Sequence, residues 1–251
     1  LREVRKVEDS KKESKAKNFI KRYCNNKLAV IGFFTLVLIT LIVIIVPPFL
    51  PFSEAEIDPL AFNMPPSAKH LLGGDDVGRD VLSRLLYGGR VSLAVGIFST
   101  AVSVIVGIPL GMLAAFYRGS FEVVVMRLSD IFMSFPSTIL ILFLVSMFGP
   151  SIITVTVVIG VLGWPKFARQ IYGSVLSIRE KDYIEGAVAI GAKDKLIITR
   201  YILPNAVAPI FISITFRIAS AIILESSLSF LGMGVQPPAA SWGNMLYNAQ
   251  S

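Results

Sequence analysis

The 251-residue chain is 54% hydrophobic and only 16% charged, with a mean hydropathy of +0.69, where soluble domains carry about a quarter charged residues. Its apolar residues fall in long uncharged blocks rather than in period-2 or period-3.6 stripes, which excludes an ordinary soluble globule and points to a membrane protein. The net charge of +7 is concentrated at the start, where residues 1–27 hold ten Lys/Arg against four acids; a basic flank before an apolar span is an orientation signal, not a nucleic-acid surface.

In chain order, residues 1–27 read as a basic cytoplasmic tail that can also touch anionic lipid. Residue 1 is Leu rather than Met, so a natural start upstream is expected. Residues 28–46 are uncharged, enough helix to cross a hydrocarbon core of ~30 Å. They are expected to form the first transmembrane helix. Prolines 47, 48, 51, 59, 65 and 66 follow, so an irregular external loop is expected. The loop ends on GGDDVGRDVLSRLLYGGR, residues 73–90. This stretch reads as a short amphipathic surface helix, capped by Asp75 or Asp76 and ended by Gly88-Gly89. Asp75, Asp76 and Asp80 stand near enough to pair with Arg79, Arg84 and Arg90. The loop with its helix thus covers 47–90.

The remainder, 91–251, reads as the core domain. Its uncharged block 91–117 is a second span. The block 131–165 is too long for one span and is divided at Gly149-Pro150, giving spans over about 123–148 and 151–165. Residues 166–205 carry seven Lys/Arg and four acids and fall on the cytoplasmic side by alternation. Within them a helix over 177–190, a Gly at 191 and a second helix over 193–201 would form a rigid knob, with Leu203-Pro204 turning the chain back into the membrane. A fifth span over 205–224 is interrupted by Arg217 and has Glu225 at its outer end. Five spans leave the C-terminus outside, so a sixth beyond residue 251 is expected.

Charges within spans are costly and mark pairing or function. Arg127 and Asp130, three apart, are expected to pair. Arg217 has no partner in its own helix and either lines a path, reaches Glu225, or meets another subunit. Cys24 is the only cysteine and His70 the only histidine. No internal disulfide or thiolate metal cluster can form, and His70, alone in a Pro-rich loop, reads as solvated. The sequence has no G-x-x-x-x-G-K-[ST] phosphate loop, no H-E-x-x-H and no G-x-S-x-G, so no enzymatic site is expected in this chain.

Two sets of residues resemble a known family. Glu185-x-Ala187, Gly191 six positions on, and Leu203-Pro204 are similar to the EAA motif of permease subunits in bacterial binding-protein-dependent ABC importers. Gly186 stands where that motif usually has Ala, and Tyr201 where it often has Ile. Residues 73–93 together with LSFLGMGVQPPAASWGNML, residues 228–246, resemble the dipeptide, oligopeptide and nickel branch.

The resemblance implies an all-α polytopic bundle of the type I ABC importer kind in a bacterial inner membrane, with its N-terminus cytoplasmic. It further implies that Glu185, Gly186, Ala187, Gly191, Leu203 and Pro204 couple the chain to ATPase subunits. Two such subunits would bind ATP and Mg, leaving this chain without a cofactor. A second homologous permease and an extracytoplasmic binding protein complete the implied assembly. Apart from the resemblance, Arg217 and Glu225, as charges in and at the end of a span, are the candidate pore or gating residues, with a structural role as the alternative for Arg217. Di- or oligopeptides are the expected cargo, with nickel or a metal chelate as the alternative. A reading of another class is an ion-coupled secondary transporter or channel, which would call for acids at mid-span.

Overall fold

The computed structural model describes residues 23–250; residues 1–22 of the basic tail lie outside them. Two compact units divide at Pro51. In the first, α1 (Lys27–Ile45) is one continuous helix over the stretch expected as the first span, and the Asn26 side chain caps it by accepting from the Ala29 N–H at 3.2 Å. A 3₁₀ turn, Pro47–Phe49, stops the helix where consecutive prolines remove backbone donors.

The second unit, from Phe52 onward, begins with a loop held by polar contacts. His70 is buried, with Nδ1 2.9 Å from Asp80 and Nε2 3.4 Å from Asp58, and its ring stacks on Phe52 at 4.5 Å. The expectation of a solvated His70 is therefore wrong: carboxylates ten and twelve positions away converge on it once the loop folds. The Lys69 ammonium, 2.6 Å away, and the Leu60 N–H, at 2.9 Å, hold the Asp58 carboxyl down to about 2. Burial alone would raise Asp75. The backbone N–H groups of Arg79 and Val77, and the Arg79 charge, outweigh it and hold the carboxyl below its ordinary range. Asp75 pairs with Arg79 at 2.8 Å and Arg84 at 3.5 Å, as the sequence suggested.

No separate surface helix closes this loop. Residues 73–80 are extended and turned, and Asp80, not Asp75 or Asp76, caps α2 (Val81–Tyr117) by accepting from the Ser83 N–H at 2.7 Å. The helix runs unbroken through Gly88-Gly89. Gly88 is buried, and a Cβ there would lie 3.2 Å from the Ser241 backbone, so the glycine serves packing rather than termination.

α2 packs chiefly on α5 (Ile152–Arg179). At Gly107 an added Cβ would lie 2.5 Å from the Trp164 carbonyl oxygen, and at Gly111 it would overlap the Ala168 carbonyl. Small residues thus let the two backbones approach, the usual basis of helix association in lipid. Ser103 Oγ adds an interhelical hydrogen bond to the Gly160 carbonyl at 2.7 Å.

Between these two helices lies a bent pair. α3 (Gly119–Ser134) and α4 (Ser137–Phe148) meet at 89° across Phe135-Pro136, where one continuous span over 123–148 was expected. Pro136 cannot continue the helix of α3, and the residue before it is extended, as pre-proline sterics favour. Asp130 pairs with Arg169 of α5 rather than with Arg127. Tyr172 of α5 donates to Glu122 of α3. α5 itself does not end at Pro165 but continues fourteen residues to Arg179.

After α5 come α6 (Asp182–Ala189), a helical run over 194–206, α7 (Ile210–Phe230) and α8 (Trp242–Asn248). The architecture is all-α: among the described residues four helices are long and apolar enough to cross a membrane, or five if the bent pair is one span. Among the described residues there is no strand beyond isolated bridges at Ile57–Arg79 and Gly74–Asp80.

Candidate functional site

The segment after α5 is a compact knob. Glu180-Lys181 breaks the helix expected over 177–190, and Asp182 begins α6 with two acids, Asp182 and Glu185, in its first turn, where they complement the helix dipole. The other end is a Schellman closure: Ala192 N–H donates to Ala187 O at 3.1 Å and Gly191 N–H to Val188 O at 2.9 Å. Gly191 has φ +75°, a conformation that a Cβ would penalise.

Ile184 and Ala187, three apart on one face of α6, are buried in a cluster with Val175 and Ile178 of α5 and with Ile197, Ile202 and Ala206 of the following run. The rest of the helix surface carries Tyr183, Glu185, Gly186 and Val188, all exposed, and the C-cap residue Ile190 is 85% exposed. A cleft beside it is lined by Phe116, Tyr117, Arg179, Glu185, Val188 and Asp194. Arg179 anchors the cleft wall through Nη1 to the Ala115 carbonyl at 3.3 Å and lies 5.7 Å from the Phe116 ring centroid. Sequence reading missed this contribution from the end of α2, because nothing local links 115–117 to 185.

Leu203-Pro204 does not turn the chain. Asp194–Leu196, a π-helical stretch Ile197–Ile202 and Leu203–Ala206 follow continuously, with Leu203 N–H donating to Ile198 O. The wide π-turn comes just before Pro204, which occupies the first turn of the next α segment, where its missing N–H costs least. A turn at 207–209 separates this run from α7, with Pro209 just before the helix.

Of the expected path residues, Glu225 is fully buried and accepts from Ser92 Oγ at 2.9 Å and Ser229 Oγ at 2.7 Å. It lies within α7 rather than at its end. Arg217 does not reach it: Nη2 donates to the Ile159 carbonyl at 2.8 Å, and Nε is buried without a partner. A cleft between α5 and α7 is lined by Lys166, Phe167, Gln170, Ser213, Phe216, Arg217 and Ser220. Residues 185–204 thus lie together in the knob after α5, whereas Arg217 and Glu225, both on α7, do not meet and have separate partners.

Residues 107–250 match the family of binding-protein-dependent transport system inner membrane components, which covers more than half of the chain. The chain belongs to this family of ABC importer permeases. Residues 14–66 of the permease also match the N-terminal transmembrane domain of oligopeptide transport permease C. A putative peptide permease protein of Brucella ovis is 39% identical over 230 residues, covering 92% of this chain and 76% of that one. The glutathione transport system permease protein GsiD of Pectobacterium atrosepticum is 38% identical, covering 98% and 82%. The dipeptide transport system permease protein DppC of Bacillus subtilis is 36% identical, covering 90% and 70%. The permease also shares its fold with the inward-facing MetNI methionine ABC transporter, at a TM-score of 0.56 and 22% identity over 66% of this chain and 80% of that one.

Proposed function

We propose that this permease imports di- or oligopeptides and that the exposed face of α6 docks on an ATP-hydrolysing partner. The observation that carries the docking reading is the division of α6: Ile184 and Ala187 fix it to the bundle, while Tyr183, Glu185, Val188 and Ile190 stand free. A rigidly mounted helix with exposed apolar side chains transmits a push; a solvated loop would not. Gly191 and the 194–206 run brace the helix, and Leu203 and Pro204 continue that brace rather than end it.

ATP and Mg belong to two such partner subunits, a second homologous permease completes the path, and an extracytoplasmic binding protein delivers cargo. The basic tail lies in the cytoplasm, together with α6. The Ala240 N–H bonds the Glu54 side chain at 2.9 Å, which suits a loop 52–80 and a C-terminal segment that share the opposite side. The face of α7 that carries Arg217 lines the path, because a cation within a span avoids lipid, while Glu225 holds the outer ends of α2 and α7 together. Peptide cargo is supported by the relatives, a putative peptide permease, a glutathione transport system permease and a dipeptide transport system permease.

The test is reconstitution of the permease with its genomic partners in vesicles. ATP-dependent uptake of labelled dialanine that needs the binding protein is expected. Uptake driven by an ion gradient without any ATPase subunit would overturn the reading, and a nickel-loaded binding protein in the purified assembly would reassign the cargo.

A further inference from the structure

We infer that the cleft between α5 and α7 receives the free carboxylate of the cargo during transit; this rests on the reading of α7 as a wall of the path. Ser213, Arg217 and Ser220 recur at i, i+4 and i+7, so one polar stripe runs along α7. Lys166 and Gln170, four apart on α5, face it across the cleft. The lining residues include two cations and no carboxylate.

Arg217 is the eighth residue of α7, roughly 10 Å along a helix that rises about 1.5 Å per residue, and so well inside the hydrocarbon depth. A guanidinium there is tolerated only where protein or water replaces lipid. The Ile159 carbonyl takes Nη2 and fixes the side chain. Among the described residues no other hydrogen bond engages the guanidinium, and Nε is left buried without a partner. A held cation with donors to spare, a second cation opposite, and hydroxyl and amide groups between them match an anion of carboxylate size. Peptides of any side-chain composition share one such group, the C-terminal carboxylate. A site for it recognises the class without selecting a sequence. Phe167 and Phe216, which complete the lining, offer apolar surface to whatever side chain accompanies the carboxylate.

The test uses the assembled, vesicle-embedded complex in a cysteine-free background that includes Cys24→Ala. Ser213→Cys and Ser220→Cys are each treated with an anionic and a cationic thiosulfonate reagent of equal size. An electropositive aqueous cleft favours the anionic reagent by roughly tenfold or more. Arg217→Gln is expected to bring that ratio near one, and Arg217→Lys to restore most of it, which separates charge from misfolding. Millimolar dialanine should slow modification severalfold, and dialanine amide should not. Equal reactivity toward both reagents, or protection by both peptides or by neither, overturns the carboxylate inference while leaving α7 in the path. No reaction at either position with either reagent overturns the path reading itself.

Discussion

The Ser92 hydroxyl on α2 donates to the Glu225 carboxylate on α7 at 2.9 Å, across 133 positions of chain. Ser229 donates to the same group, and Ser229 Oγ in turn accepts the Val235 N–H at 3.0 Å. Trp242 N–H reaches Ser92 Oγ at 3.3 Å, beside the capping box that Ser241 and Asn244 make at the start of α8. One buried carboxylate therefore ties two spans and the C-terminal segment together.

Glu225→Ala removes the acceptor and leaves buried hydroxyls unsatisfied beside a cavity, at an expected cost of roughly 2–4 kcal/mol. Glu225→Gln keeps the volume and one acceptor and should cost less than half as much. Thermal unfolding of the purified complex in detergent checks this. Equal midpoints for the two variants would mean that the network holds nothing together.

Gly111→Leu and Gly186→Ala should act in opposite directions. The first drives a side chain into the Ala168 backbone and should prevent α2 from seating on α5, so that the protein inserts but degrades. At Gly186 an added Cβ meets nothing within 4 Å, and Ala gains about 1 kcal/mol of helix propensity over Gly. Protease resistance of the 180–206 segment should rise with Gly186→Ala and be lost with Gly111→Leu.

The polar loop should fail in acid. Asp58, at about 2, and Asp75, also lowered, ionise more readily in the folded loop than at the ordinary 3.8 of an unfolded chain. The folded loop therefore binds fewer protons: the Asp58 contribution is complete above about pH 4 and disappears as pH falls through about 2, and the Asp75 contribution is lost in the same direction. Hydrogen exchange at the Leu60 amide, corrected for intrinsic rates, should stay constant above that window and accelerate within it, and the Val77 and Arg79 amides should also accelerate on acidification. Asp58→Asn should flatten the response at Leu60.

What the sequence disclosed follows from how local each cause is. The span at α1 was readable because nineteen uncharged residues suffice, and the end of α6 because Gly191 is the one residue that closes a helix at φ +75°. Prolines misled in both directions. Pro136 breaks a span at 89°, whereas Pro165 lies buried inside α5 and Pro204 sits harmlessly after a π-turn. Pro165 is buried within the packed bundle and Pro136 is exposed, a difference in surroundings that no window of sequence contains. Gly88, His70 and Asp130 were misread for the same reason: their partners Ser241, Asp58 with Asp80, and Arg169 arrive from elsewhere in the fold.

Glu185→Lys reverses the charge of the exposed α6 face, and Gly191→Pro imposes φ near −65° where +75° is required. Both should leave insertion and the permease pair intact. Uptake per ATP hydrolysed should fall roughly tenfold. Paired assays of uptake and phosphate release check the ratio. A proportional fall in both would indicate loss of the complex rather than uncoupling.

The most direct measurement of the central claim is disulfide crosslinking from α6 to the ATPase subunit in the transport-competent complex. Ile190→Cys and Val188→Cys, both on the exposed face, should crosslink to cysteines placed on the ATPase surface that faces the membrane, and ATP should change the yield. Ala187→Cys, whose parent side chain is only 8% exposed, should crosslink poorly. Absence of any crosslink from positions 188 and 190 in a complex that still transports would contradict the account.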